Sequence, residues 1–438
     1  MGEDRRTQDP PAFVALSLEA DRLDRYLRFL IAFITITYFF DAYDVLLMNL
    51  ALPYLGRDFQ ASPQTLGYAV SVIGLGSMAA FFFIRLADRF GRRPVLLGSI
   101  VAYSLLTFLT AFSRGLVDYV AYQFVARALL VSGLGVGTIV LTEELPARYR
   151  GLGVGLMLTG GAFGGIVAAA LFPHLLETRL GWRMLYLLGV IPVGLVLLFR
   201  NKLQETRRWR SSRREDSPQA QGLREMFRAV FQRENRFNLA VVATLVFCAT
   251  LWYSSVYVFW TYFVVNERGW SPQQVSKTLM VSFVFAMLSH FLAGISLDRL
   301  GRRITAYLFF GMGGISAFFC FRAQDPLAIS LLYILVIFSS GIFVVCFTVG
   351  AELFPTDIRA SANAVANNLL GRVGMVIAPS LIGLLASWRG SVGEAVSLVG
   401  LAPLFCVAAV YLFVPETRER VLEEIPSMEV GRAERVKE

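Results

Sequence analysis

Two carboxylates and two guanidinium groups stand inside apolar stretches of this chain, where charge is costly and therefore informative. Asp41 and Asp44 lie within the run 28–53. At about 1.5 Å per helical residue, Asp41 is roughly 20 Å along from Arg28. Spaced i, i+3, the two acids share one helix face with Thr37 and Met48. A carboxylate at that depth costs several kcal/mol unless it is paired or protonated, so both acids are expected to face a central cavity. Burial favours the neutral carboxyl, and a second carboxylate nearby favours it further. That is chemistry for taking up and releasing a proton. The competing reading is an ion pair that locks the first helix to a neighbour.

Arg372 sits mid-run in Gly371-Arg372-Val373-Gly374, with Asn368 one turn earlier and Asn367 beside it. A guanidinium that is always charged needs an anion there, from the protein or from a substrate. Arg127, mid-run in 117–140, could bind substrate or pair with Asp41 or Asp44, and the pair is the preferred reading. His290 could relay protons or serve as a hydrogen-bonded packing residue, and packing is preferred. Tyr253, Tyr257 and Trp260 share a face at i, i+4, i+7 and could stack on a planar substrate. A belt at the membrane surface explains Trp260 and Tyr262 equally well. The substrate-binding set is therefore Arg372, Arg127, Tyr253, Tyr257, Asn367, Asn368 and His290.

The elements that must position these groups are membrane spans. Apolar residues make up 56% of the 438, and charged residues 17%. The apolar residues fall in runs of about 20, enough to cross a bilayer as a helix. Twelve runs are expected, at 28–53, 66–86, 94–113, 117–140, 151–175, 183–200, 237–265, 275–297, 304–323, 327–350, 361–386 and 394–414. The chain thus divides into a terminal segment 1–27, a first six-helix bundle 28–200, a polar linker 201–236, a second bundle 237–414 and a tail 415–438. Of the 41 Lys and Arg, 31 fall in the terminal segments and alternate loops on one side, and eight on the other. By the positive-inside rule both termini are cytoplasmic, and the net charge of +9 faces anionic inner-leaflet lipid rather than nucleic acid. The four cysteines, Cys248, Cys320, Cys346 and Cys406, lie in apolar runs without paired spacing, as packing residues. Seven glycines between Gly151 and Gly165 suggest close helix packing and a moving interface.

The two halves repeat. Asp88-Arg89-Phe90-Gly91-Arg92-Arg93 recurs 210 residues on as Asp298-Arg299-Leu300-Gly301-Arg302-Arg303. Glu143-x-x-Pro146-x-x-x-Arg150 recurs as Glu352-x-x-Pro355-x-x-x-Arg359, and Glu205-Thr206-Arg207 as Glu416-Thr417-Arg418. Ordered pairs at one offset mean an internal duplication, a common plan among transporters. Asp88, Arg89, Arg92, Glu143, Arg150, Asp298, Arg302, Glu352 and Arg359 are expected to form a cytoplasmic gate of ion pairs that break as the halves rock.

These loops resemble the signature of the major facilitator superfamily, between spans two and three and spans eight and nine. The Glu-x-x-Pro-x-x-x-Arg and Glu-Thr-Arg pairs resemble its sugar-porter-like branch. Asp41-Ala42-Tyr43-Asp44, followed by Pro53, is similar to the Asp-Gly-aromatic-Asp pattern of aromatic-acid and other metabolite:proton symporters, with Ala42 in place of Gly. Spans five and seven lack the Gln residues of true sugar porters. Gly-Arg-x-Gly around Arg372 is similar to the family's eleventh span. The family's fourth-span Arg falls where this chain has Gln123, leaving Arg127 about one turn displaced.

The resemblance implies an all-α polytopic fold of twelve helices in two duplicated halves. It implies proton-coupled symport of a small organic anion, an aromatic or other carboxylate, by alternating access. Asp41 and Asp44 would couple the proton, and no cofactor, metal or enzymatic activity is expected. A monomer in a bacterial inner membrane is the expected setting. An organic-cation or sugar/polyol carrier, or a non-transporting membrane sensor, remains as an alternative.

Overall fold

In a computed structural model, residues 24–207, 209–210, 228–354 and 358–416 are described, without the side chains of residues 147, 148, 150 and 360. Among them, the first half comprises α1 (Arg25–Asp58), α2 (Pro63–Phe90), α3 (Arg92–Thr110), α4 (Leu116–Glu144), α5 (Ala147–Leu176) and α6 (Arg183–Phe199). The second comprises α7 (Arg233–Asn266), α8 (Pro272–Arg299), α9 (Arg302–Cys320), α10 (Pro326–Glu352), α11 (Ser361–Arg389) and α12 (Val392–Phe413). Eleven of these are long and apolar enough to cross a membrane, and α6 is shorter. The α6 backbone tightens to a 3₁₀ turn at Leu188–Val190, just before Pro192. The expected twelve runs are thus present, most of them longer than expected by several residues.

Helix starts repeat between halves. Ser62 caps α2 and Ser271 caps α8, each followed by Pro at the first helical position, where its missing N–H costs nothing. Asp24 and Asp325 cap α1 and α10 by accepting backbone N–H groups at 2.7 and 2.8 Å. The stop between α2 and α3 is Gly91 at φ +105°, and between α8 and α9 it is Gly301 at φ +89°. Those backbone angles favour glycine over any residue with a Cβ.

All loops joining α2 to α3 and α8 to α9 lie at one end of the bundle, here the motif end; Asp58, Arg389 and Asn266 mark the far end. Described hydrogen bonds that cross between halves lie toward the far end. Ser380 of α11 donates its backbone N–H to Ser71 Oγ of α2 at 3.0 Å, and their hydroxyls meet at 2.7 Å. Arg57 donates to Asn266 at 2.8 Å and Gln273 to Glu177 at 3.0 Å. Gly67 and Gly383 sit directly against the opposing backbones, at Pro379 and at Pro63–Gln64. Small residues let these helices close on one another at the far end.

The glycines of α5 give the close packing expected of them, mainly inside the first half. Gly160, Gly161 and Gly164 face Thr35, Tyr38 and Phe39 of α1, inside the first half, and only Gly165 meets the other half, at Phe283. The glycine-rich face is therefore mainly a seam within the first half. All four cysteines are buried and free, as packing residues should be.

A Cβ at Gly164 would overlap the Phe39 carbonyl, whereas one at Gly155 meets open space. Gly164→Val is expected to cost about 1–3 kcal/mol through overpacking, lowering the melting temperature of detergent-purified protein, and Gly155→Ala should not lower it. Equal melting of the two variants would contradict the seam.

Candidate functional site

The acids of α1 are buried, with Asp41 2% and Asp44 4% exposed. Thr37 and Met48 are buried on the same face, as the spacing requires. The face does not point where expected. Asp41 lines a cavity of about 10 Å³ with Thr37 and Tyr38 of α1, Leu96 of α3, Gly133 and Gly137 of α4 and Met157 of α5. Asp44 accepts a 2.8 Å hydrogen bond from the Thr107 hydroxyl of α3. Both acids therefore face the interior of the first half rather than the space between halves. The i, i+3 spacing fixes their common face but not the neighbour that face meets.

Arg127 of α4 is 5% exposed and lies near Asp44, but no N···O distance of 4.0 Å or less joins it to either acid. Its one described contact with a donor geometry is to the Met48 sulfur, at 3.9 Å. The expected direct ion pair is thus absent among the described residues, and the charges act on one another across a gap. Gln123 is buried and donates to Thr110 at 3.0 Å, a packing role.

In the second half, Tyr253 and Tyr257 stack on one another with centroids 5.0 Å apart at 12°, and Phe343 meets Tyr253 edge-on at 5.5 Å. Tyr253 approaches Tyr38 of the first half, and Tyr257 approaches Asn49 and Arg127. Trp260 does not share this role. It is fully buried and stacks on Tyr333 at 4.0 Å, which also removes it from any membrane-surface belt. Asn49, 1% exposed with no hydrogen-bond partner for its amide, was not among the expected site residues. A polar amide on the run of Asp41 and Asp44 was the available signal.

α11 opens into a π turn at Val365–Leu370, closed by Gly371 N–H to Ala366 C=O at 2.8 Å. Such turns often mark functional positions. Arg372 follows it directly. Thr250 donates to the Gly371 carbonyl at 2.6 Å and Ser254 to the Met375 carbonyl at 3.1 Å, so Arg372 is held level with the start of the tyrosine stack. Arg372 is partly exposed and has no described hydrogen bond or ion pair. Asn367 is buried and donates to the Asn363 carbonyl of its own helix at 2.9 Å, and Asn368 is exposed. His290 is exposed on α8, and no hydrogen bond is described for it.

The motif end is built twice. Arg92 reaches Glu143 at 3.1 Å and Asp88 at 3.2 Å. Arg302 grips Glu352 with Nε at 3.1 and 3.2 Å and Nη2 at 2.6 Å. Asp298, the counterpart of Asp88, does not come within 4.0 Å of Arg302, whose fork is engaged by Glu352. Arg359 donates to the Phe354 carbonyl at 3.2 Å rather than to an acid. Arg89 lies over the Phe90 ring, and the side chain of Arg150 is outside the described residues. Every described pair lies inside one half, where it fastens neighbouring helix ends.

The Glu-Thr-Arg repeats complete that fastening. Glu205 accepts the backbone N–H of Arg92 at 2.9 Å and of Arg93 at 3.1 Å. Glu416 accepts those of Arg302 at 2.9 Å and Arg303 at 3.0 Å. A carboxylate here satisfies orphan N–H groups and complements the positive helix end. Gly91 and Gly301 are required a second time, because a Cβ at either would strike the capping carboxylate.

The Major Facilitator Superfamily model matches residues 34–374 and 242–436, so the chain belongs to this superfamily. It is an integral, multi-pass membrane transporter, not an enzyme. A cis,cis-muconate transport protein of Acinetobacter baylyi is 29% identical over 394 residues, covering 89% of this chain and 94% of that protein. A putative niacin/nicotinamide transporter of Bacillus subtilis is 26% identical, covering 88% of this chain and 95% of that one. The inward open xylose transporter XylE from E. coli superposes with a TM-score of 0.70 at 18% identity, covering 91% of this chain and 98% of that one.

Glu205→Ala leaves two N–H groups of α3 without an acceptor. It should cost about 1–2 kcal/mol, the range for loss of a helix cap, seen as a lower melting temperature. Unchanged melting would show that the cap carries no weight.

Proposed function

We propose that the protein is a proton-coupled symporter for a small planar carboxylate, with the motif end and both termini in the cytoplasm of a bacterial cell. The observation that carries this reading is Arg372, a mid-span guanidinium with no described anionic partner, level with stacked tyrosines. An Arg at mid-membrane costs about 2.5–3.5 kcal/mol on insertion scales. An arriving carboxylate would offset that cost through a forked pair of charge-assisted hydrogen bonds. The tyrosine faces would hold a planar body beside it.

The names of the two relatives, muconate and niacin/nicotinamide, support a planar, unsaturated ligand. An organic-cation carrier fits less well. Asp44 already accepts from Thr107 and lies near Arg127, which would repel a cation. The far-end contacts between halves leave the site to communicate with the motif end, an inward-facing arrangement under the proposed orientation. Each half, fastened internally at its motif end, would rock as one body. A monomer holding the cycle in one chain is the simplest form of this reading.

The test is ligand-induced thermal stabilisation of purified protein by niacin, benzoate and cis,cis-muconate. At least one should stabilise, more strongly near pH 5.5 than near pH 7.5, because coupling requires the protonated carrier to bind substrate better. Arg372→Ala should weaken that binding at least ~10-fold, the loss expected for a charge-assisted pair. Unchanged affinity in Arg372→Ala would remove the anion site from α11.

A further inference from the structure

The two acids of α1 occupy unlike surroundings, although three residues apart on one face. Asp44 has what an anion needs: a hydroxyl donor from Thr107 at 2.8 Å and the Arg127 guanidinium nearby. Asp41 lacks both. Its Oδ1 is buried without a hydrogen-bond partner. The hydroxyl of Tyr103 on α3, 2% exposed, lies beside the Asp41 carboxyl without a well-aligned hydrogen bond and is itself unpartnered. Residues of α1, α3, α4 and α5 face Asp41. From α1 come Tyr38 and Asp44, from α3 Tyr103, and from α4 and α5 only Gly133, Leu134, Gly137 and Met157. No cation faces it.

Asp41 also differs in access. The cavity of about 10 Å³ that it lines has room for one water molecule. Thr37 and Ile34, one and two turns nearer the motif end, form its wall on α1. A charge on Asp41 therefore has neither a counter-ion nor a full set of donors, but it has a place for a water and a phenol that can donate to it.

We propose a division of labour: Asp41 carries the exchanged proton, Tyr103 is its positioning residue, and Asp44 stays ionised as the fixed counter-charge of Arg127. This deepens the proposed function and rests on it. With the proton on, Asp41 is neutral, and the first half holds one acid and one guanidinium in balance. When the proton leaves through the cavity water, the carboxylate accepts from the Tyr103 hydroxyl, and the bundle holds an uncompensated negative charge. That charge disfavours a carboxylate held at Arg372 in the same bundle, which is how loss of the proton would promote release of the anion. No bond other than O–H forms or breaks, and the proton passes to water.

The experiment compares two assays in sealed proteoliposomes, using whichever of benzoate, niacin or cis,cis-muconate the wild type accumulates under an inward proton gradient. Counterflow exchanges labelled for unlabelled substrate and needs no net proton movement. Accumulation does need it. Asp41→Asn should keep counterflow while its inside-to-outside ratio falls to about 1. Asp44→Asn should lose both, because Arg127 loses its counter-charge. Tyr103→Phe should keep counterflow and shift the pH profile of accumulation, with Asp41→Glu restoring part of the accumulation. Retained counterflow also shows that a variant is folded. Uphill accumulation by Asp41→Asn, or counterflow without accumulation in Asp44→Asn, would overturn the assignment. A wild type that accumulates none of the three compounds, yet exchanges one, would instead sink the proton-coupled reading itself.

Discussion

A bilayer-thick bundle tolerates a charge only where something compensates it. Among the described residues, two aspartates and two arginines lie in mid-span, and each is compensated differently. Asp44 has a hydroxyl donor and a nearby guanidinium, and Asp41 has a water-sized cavity and an adjacent phenol. Arg127 lies between Asp44 and Tyr257, and Arg372 has no described anion at all. Other features of the bundle follow from keeping these positions fixed. The glycine seam brings α5 against α1, and the hydroxyls of Thr250 and Ser254 clamp α11 at its π turn.

The motif end is compensated too, but by structure rather than by ligand. Each arginine fork is engaged by a glutamate of the same half, and each following helix start is closed by a carboxylate from the Glu-Thr-Arg segment. The described cross-half hydrogen bonds lie toward the far end and rely on small residues and hydroxyls. Bonds of that kind are individually weak. A bundle tied within each half at the motif end, and joined between halves toward the far end, is suited to rigid-body rocking.

Much of this was readable in the sequence, for physical reasons. Length and apolar continuity mark the spans, and the repeats at Asp88 and Asp298 mark the duplication. Intramembrane charge picks out Asp41, Asp44, Arg127 and Arg372. What the sequence could not supply was direction. Spacing places Asp41 and Asp44 on one face without naming the helix opposite. Trp260 reads as a surface aromatic until Tyr333 is found stacked on it. The pairing of Arg302 with Glu352 over Asp298 is a matter of fork geometry, and the capping role of Glu205 and Glu416 depends on a contact more than 100 residues away. The Ser-Pro starts at Ser62 and Ser271 were a legible repeat that motif reading passed over.

The central claim is that protons and a planar carboxylate cross together. Its most direct measurement is external pH in a lightly buffered suspension of proteoliposomes, after adding cis,cis-muconate, niacin or benzoate without an imposed gradient. The account predicts alkalinisation of the medium that exceeds that of protein-free vesicles, which report passive entry of the neutral acid. Carboxylate uptake above the protein-free rate with no accompanying alkalinisation would contradict it.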